Sequence, residues 1–110
     1  MYEKNMQLPM LLDCYGELLT ERQRELMDFY YNEDLSLAEI AENTGLTRQG
    51  VRDGVKKAET LLSDYEKALG LAKASEERQK TLSELTDRLK EICGGEVPAD
   101  VEALLKRLAE

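Results

Sequence analysis

Four basic side chains cluster in a short stretch of an otherwise acidic chain, and basic side chains are the groups that contact phosphates. Arg48, Arg52 and Lys56 recur at every fourth residue, and Lys57 follows directly. On a helix this spacing places side chains along one side. The stretch holds four cations and one acid, whereas the whole chain has a net charge of −8. The pattern predicts a local surface that contacts the phosphates of a nucleic acid.

Two uncharged side chains extend this candidate interface. Thr47 is expected to cap the helix that carries the cations, and the Gln49 amide can bond a base edge. The predicted nucleic-acid-binding residues are Thr47, Arg48, Gln49, Arg52, Lys56 and Lys57. The alternative, a solvated helix face whose charges do little, is left open by the sequence.

The residue types argue against catalysis. The chain has no histidine, which is the commonest acid–base catalyst and a common metal ligand, and it has no Gly-rich phosphate loop. The acidic pairs at 33–34 and 76–77 are interpreted as solvated ends of helices. We therefore predict that the protein is not an enzyme and has no catalytic residue, metal site or cofactor.

Composition narrows the class of protein further. The 110 residues contain no apolar run of the roughly 18 residues that a membrane span needs. The first five residues lack the basic flank and apolar stretch of a signal peptide, so we expect a cytoplasmic protein. Cys14 and Cys93 are too few for a disulfide framework and are predicted to be free thiols.

Helix formers dominate the chain, and strand patterns are almost absent, so the fold class is predicted to be all-α. A first helix is predicted over residues 4–18, and Pro9 either lies in its first turn or ends a frayed leader. Its apolar side is predicted to be Leu8, Leu11, Leu12, Tyr15 and Leu18. A capping box of Thr20 and Gln23 opens a second helix, which ends at residues 32–34. The apolar stripe of that helix is predicted to be Leu26, Phe29 and Tyr30.

The next segment, SLAEIAENTGLTRQGVRDGVKK over residues 36–57, has the pattern of a helix-turn-helix. That unit needs a small residue where its helices cross, a glycine in the turn and an apolar anchor on the second helix. Ala41, Gly45 and Val51 supply these three features. A capping box of Ser36 and Glu39 starts the first helix. The remaining inner face is predicted to be Leu37, Ile40, Leu46 and Val55.

The second helix of this unit is predicted to run from Thr47 to Leu69, where Gly70 ends it. Residues 72–93 then form a long charged helix, with Leu82, Leu85, Leu89 and Ile92 at three- and four-residue spacing. Gly94 and Gly95 break that helix. Pro98 opens a final amphipathic segment whose apolar residues are Val101, Leu104, Leu105 and Leu108.

We predict two parts, a helix-turn-helix domain over 1–70 and a C-terminal helical extension over 71–110. The extension either packs back on the N-terminal bundle or pairs with a second copy of the chain. We predict a homodimer, and the alternative is a monomer in which the extension packs back.

The segment LLTERQRELMDFYYNEDLSLAEIAENTGLTRQGVRDGVKKAETLLSDYEKAL resembles the YlxM family of small bacterial proteins. The resemblance covers about residues 5–70. The matching motifs include Leu19-Thr20, Tyr30-Tyr31, Ser36-Leu37-Ala38-Glu39-Ile40-Ala41 and Thr47-Arg48-Gln49. It implies a helix-turn-helix like that of sigma-factor region 4. It also implies an accessory or regulator of the signal recognition particle that acts through the particle's RNA or its GTPase. Gly50, Arg52 and Gly54 depart from the family pattern, and the two glycines either let a partner backbone approach or are merely tolerated.

Two other functions fit the same residues. A DNA-binding transcriptional regulator could use the same helix-turn-helix, although the acidic balance and the lack of a basic arm count against it. A purely protein–protein module would use a heptad-like run along the second helix. That run is Val51, Val55, Ala58, Leu62, Tyr65 and Leu69. A buried core stripe explains the run equally well.

Overall fold

The computed structural model describes residues 5–110, and these residues form helices and no strand. The six α-helices are α1 (Leu8–Tyr15), α2 (Glu21–Met27), α3 (Leu37–Thr44), α4 (Arg48–Leu69), α5 (Leu71–Ile92) and α6 (Ala99–Ala109). A 3₁₀ turn, Gly16–Leu18, follows α1, and a π-helical turn, Asp28–Asn32, follows α2. The predicted all-α fold is confirmed. None of the helices in the described range is long and apolar enough to cross a membrane.

The backbone divides into two compact units, the first ending at Ala72 and the second covering Lys73–Glu110. In the first unit α1, α2 and α3 all pack against α4. The core of this unit is formed by Leu8, Leu11, Leu12, Tyr15, Leu19, Leu26, Met27, Tyr30, Ile40, Val51, Val55, Ala58, Leu62 and Ala72. The heptad-like run of α4 is therefore mostly core, because its first four members are buried and Tyr65 packs against them, whereas Leu69 is exposed.

The first helix is shorter than predicted, and the prediction of its apolar side is wrong at one residue. Residues 5–7 precede α1 as a turn in which the Asn5 side chain accepts from the Gln7 N–H, while residue 4 lies outside the described residues. Pro9 lies in the first turn of α1, one of its two predicted places. Beyond Tyr15 the 3₁₀ turn winds more tightly than an α-helix, which moves the next apolar side chain out of phase. Leu18 is consequently 57% exposed, and Leu19 is buried in its place.

Both predicted capping boxes are present. The Thr20 hydroxyl accepts from the Gln23 N–H at 3.1 Å, and the Gln23 side chain accepts from the Thr20 N–H at 3.0 Å. The Ser36 hydroxyl accepts from the Glu39 N–H at 3.1 Å, and the Glu39 carboxylate accepts from the Ser36 N–H at 3.0 Å. The hydrogen bonds from Ser36 hold the pKa of the Glu39 carboxyl below its ordinary value. The starts of α2 and α3 are thus fixed by local hydrogen bonds.

The second unit is a hairpin of two helices. Gly94 and Gly95 both have positive φ angles and connect the end of α5 to α6, which returns in the opposite direction. The Gln79 side chain, early in α5, donates to the carbonyl of Ala109 near the end of α6. Over Lys73–Glu110 no side chain is fully buried. The exposed apolar side chains here are Leu85, Ile92, Leu104 and Leu108, between 45% and 68% accessible.

Candidate nucleic-acid interface

The turn of the helix-turn-helix is built around Gly45. Gly45 has φ 75°, a left-handed conformation that glycine adopts without steric cost, and its N–H donates to the Ala41 carbonyl at 2.9 Å. Ala41 is half-buried and packs against the core where α3 meets α4. Leu46, predicted to face inward, is 37% exposed, because the chain leaves α3 at this turn and places it on the surface. The turn at Gly45 therefore sets the direction of α4 relative to α3.

The candidate interface begins at the N-terminus of α4. Thr47 has an extended backbone, and its hydroxyl accepts from the Gly50 N–H at 2.9 Å, so the predicted cap is confirmed. One orphan N–H is satisfied by this bond, while the aligned peptide dipoles leave partial positive charge at this helix end. Negative groups such as phosphates are favoured there.

The four cations lie on the first three turns of α4. Arg48, Lys56 and Lys57 are exposed, whereas Arg52 is half-buried. The Arg52 side chain is therefore the least accessible of the four cations. Arg48, Arg52 and Lys57 form no ion pair with any described residue. Their charges remain available to an anionic partner.

The charge of α4 reverses along its length. Its first half carries the four cations and one acid, whereas residues 58–69 carry three acids and one cation. The three acids are Glu59, Asp64 and Glu66. A polyanion is therefore attracted to the end of α4 beside the turn and repelled from the other end.

A pair that the sequence reading missed lies on the first half of α4. The Gln49 amide donates to the Asp53 carboxylate, with 2.9 Å between Nε2 and Oδ1, and both side chains are exposed. The sequence signal was present, because a Gln and an Asp four residues apart are a known helix-surface pair. Gln49 is thus positioned by a neighbour and is not a free amide.

The two glycines of α4 have roles inside the fold. A Cβ at Gly54 would lie 2.6 Å from Cδ1 of the buried Leu26, so the absent side chain lets α2 approach α4. A Cβ at Gly50 would lie 3.0 Å from the Oγ1 atom of Thr47. The sequence left open the approach of a partner backbone, whereas the close contact observed at Gly54 is with a side chain of the protein itself. The approaching element is the protein's own α2.

Glu59 is a second residue that the sequence did not single out. It follows the basic half of α4, is half-buried, and accepts a hydrogen bond from the Tyr31 hydroxyl. It lines a shallow polar groove together with Lys56, Thr60 and Ser63. Burial raises the pKa of the Glu59 carboxyl to about 7. Only tertiary packing of the π-helical turn against α4 places Tyr31 there.

Known proteins of similar sequence indicate the family of this chain. Residues 2–94 match the model of a protein family described as "Putative helix-turn-helix protein, YlxM / p13 like". A relative from Desulforamulus reducens is 44% identical over 92% of this chain and 89% of its own length. The chain belongs to the UPF0122 family. The resemblance to YlxM proteins predicted from the sequence is confirmed.

Other UPF0122 proteins cover the chain to a similar extent. A relative from Clostridium kluyveri is 50% identical over 79% of this chain and 81% of its own length. One from Geobacillus kaustophilus is 39% identical over 100% of this chain and 98% of its own. The similarity to the latter therefore includes both compact units.

Proposed function

We propose that this UPF0122 protein is a non-catalytic helix-turn-helix protein that binds nucleic acid through the first half of α4. The observation that carries this proposal is the group of exposed cations beside the turn, within a chain of net charge −8. The contacting residues are Thr47, Arg48, Gln49, Arg52, Lys56 and Lys57. Acidic groups elsewhere restrict a polyanion to this surface, so binding by this protein alone is weak.

Salt dependence tests this proposal. About four phosphate contacts give a slope of log affinity against log salt of roughly −3 to −4. Replacing Arg48 and Lys57 by Ala should flatten the slope by about 1.5 to 2, because two cations no longer displace counterions. Both side chains are exposed and without an ion pair to described residues, so the fold should persist. Fluorescence anisotropy with labelled RNA and duplex DNA over a salt series measures the effect.

A matched control uses two cations of α6. Replacing the exposed Lys106 and Arg107 by Ala changes the net charge equally, but these residues lie outside the candidate interface. We expect this variant to keep the wild-type slope. If the Arg48/Lys57 variant binds nucleic acid like the wild type but loses a protein partner, the first half of α4 is a docking surface for an acidic protein. The nucleic-acid assignment is then wrong.

We propose further that the working partner belongs to the signal recognition particle, as its RNA or its GTPase, and that the protein acts in the cytoplasm. This extension is supported by the YlxM resemblance. Affinity capture from lysate with parallel nuclease treatment tests it: the particle's RNA should be enriched and lost with ribonuclease, or its GTPase should be retained. Enrichment of particular DNA fragments would instead favour a transcriptional regulator.

We also propose that a second copy of the chain covers the apolar side of the second unit. Four large apolar side chains of the second unit are exposed, and no side chain over Lys73–Glu110 is fully buried. Residues 73–110 carry seven basic and nine acidic side chains, so two copies repel each other little. Apolar residues at three- and four-residue spacing on paired helices are typical of self-associating bundles.

A further inference from the structure

An acidic residue lies within the proposed phosphate-binding surface. Asp53 is exposed on the first half of α4, close in sequence to Arg52, Lys56 and Lys57. In the described part of the chain its carboxylate is bonded by the Gln49 amide and forms an ion pair with none of these cations. A carboxylate that faces phosphates weakens binding by repulsion. The presence of Asp53 on this surface is explained if its carboxylate faces a hydrogen-bond donor of the nucleic acid and not a phosphate.

The chemistry of the pair fixes what it presents outward. A carboxylate only accepts hydrogen bonds, so the group of Gln49 that contacts it must be the NH₂. The carbonyl oxygen of that amide and the second carboxylate oxygen of Asp53 then remain as acceptors. Gln49 alone would read adenine through its NH₂ and its oxygen together. Asp53 engages one of the two N–H donors of this NH₂. One donor therefore remains beside the acceptor oxygens of both side chains, and the pair offers more acceptors than donors.

A purely structural role explains less of this arrangement. An amide–carboxylate pair four residues apart stabilises a helix only slightly. This stabilisation is smaller than the loss of helix stability that each of Gly50 and Gly54 causes relative to Ala. A basic side chain at position 53 would extend the phosphate-binding surface, whereas the acid there opposes it.

We infer that Asp53, oriented by Gln49, determines specificity by accepting a hydrogen bond from the exocyclic amino group of a cytosine. A carboxylate is the side chain that pairs with cytosine N4. The group is exposed in the DNA major groove and in unpaired RNA loops, so both are sources of the same chemistry. The inference rests on the proposed function, since it requires that α4 contacts bases.

Selection from randomised pools tests the inference. The full-length protein is incubated with two pools, duplex DNA with randomised base pairs and RNA hairpins with randomised loops, and the bound fraction is sequenced. The wild type should enrich cytosine at one position of one pool by roughly tenfold or more. Asp53→Asn should lose this preference and favour adenine there, because an amide matches the adenine edge. The Asn oxygen can still accept from Gln49, which preserves the helix.

Asp64→Asn is the matched control, since it removes one exposed acid from the acidic half of the same helix. It should leave the enriched base unchanged. If Asp53→Asn strengthens binding to all sequences equally and keeps the cytosine preference, Asp53 is only a repulsive charge. The inference then fails while the proposed function stands. If the wild type binds neither pool, the proposed function fails and the inference fails with it.

Discussion

Glu59 couples the stability of the fold to pH. Partial burial raises the pKa of its carboxyl to about 7 from an ordinary value of 4.5, so the folded state binds this proton more tightly than the unfolded chain does. The free energy of unfolding therefore falls as the pH rises from about 4.5 to about 7. Because the group keeps part of its hydration, screening limits the effect to about 1 kcal/mol.

Replacing Glu59 by Gln should remove the fall in the free energy of unfolding between about pH 4.5 and pH 7. The variant should be more stable than the wild type by about 1 kcal/mol at pH 8 and similar at pH 5, because Gln carries no charge and its oxygen still accepts from Tyr31. Urea unfolding at the two pH values measures the difference. Glu42→Gln, at an exposed site on α3, serves as control and should change little. An equal loss of stability for Glu59→Gln at both values would mean that the carboxylate stabilises the fold.

At the scale of helices, Gly54 determines how closely α2 approaches α4. Ala is the better helix former by about 1 kcal/mol, but its Cβ would lie 2.6 Å from the buried Leu26 side chain. Overpacking of this kind costs about 1 to 3 kcal/mol. Gly54→Ala should therefore destabilise the protein by about 1 kcal/mol, which chemical denaturation can measure.

A double-mutant cycle separates the two opposing effects. Leu26→Ala alone should cost about 2 to 5 kcal/mol, since it leaves a cavity in the core. In that background the added Cβ has space, so Gly54→Ala should become stabilising by up to about 1 kcal/mol. If the two substitutions are simply additive, α2 and α4 are not held apart by this contact.

The same elements show what could be predicted from the sequence. Caps depend on hydrogen bonds between residues three apart, so Thr20 with Gln23 and Ser36 with Glu39 were readable locally. Gly45 was readable for a similar reason, because a left-handed residue is what ends a helix.

Features that depend on tertiary packing or on a change of helical pitch were not readable. Leu19 replaces Leu18 in the core because a 3₁₀ turn follows α1, and helical periodicity assumes a constant pitch. Tyr31 reaches Glu59 because a π-helical turn extends α2, and the role of Gly54 requires knowledge of its neighbour in α2. The cations of the candidate interface could be identified from the sequence. The exposed fraction of the Arg52 side chain could not be predicted, because it depends on tertiary packing.

At the scale of the whole molecule, the distribution of charge limits the function. Only the first half of α4 is strongly basic, and the rest of the chain opposes a polyanion. Two linked binding units would raise the overall affinity without any new contact, because the second binding event becomes intramolecular. A dimer formed through the second unit would supply two such units, as many helix-turn-helix proteins do.

Oligomeric state tests this arrangement. At tens of micromolar, sedimentation equilibrium should give twice the 12.5 kDa mass of one chain. Replacing Leu85 and Leu104 by Glu should return the mass to 12.5 kDa, because charges in an apolar contact are costly. Met10→Glu with Leu18→Glu adds the same charge at exposed apolar sites of the first unit and should leave the dimer intact. A wild-type protein that sediments as a single chain would contradict the dimer, and the weak affinity of one interface would then have to be offset by another partner.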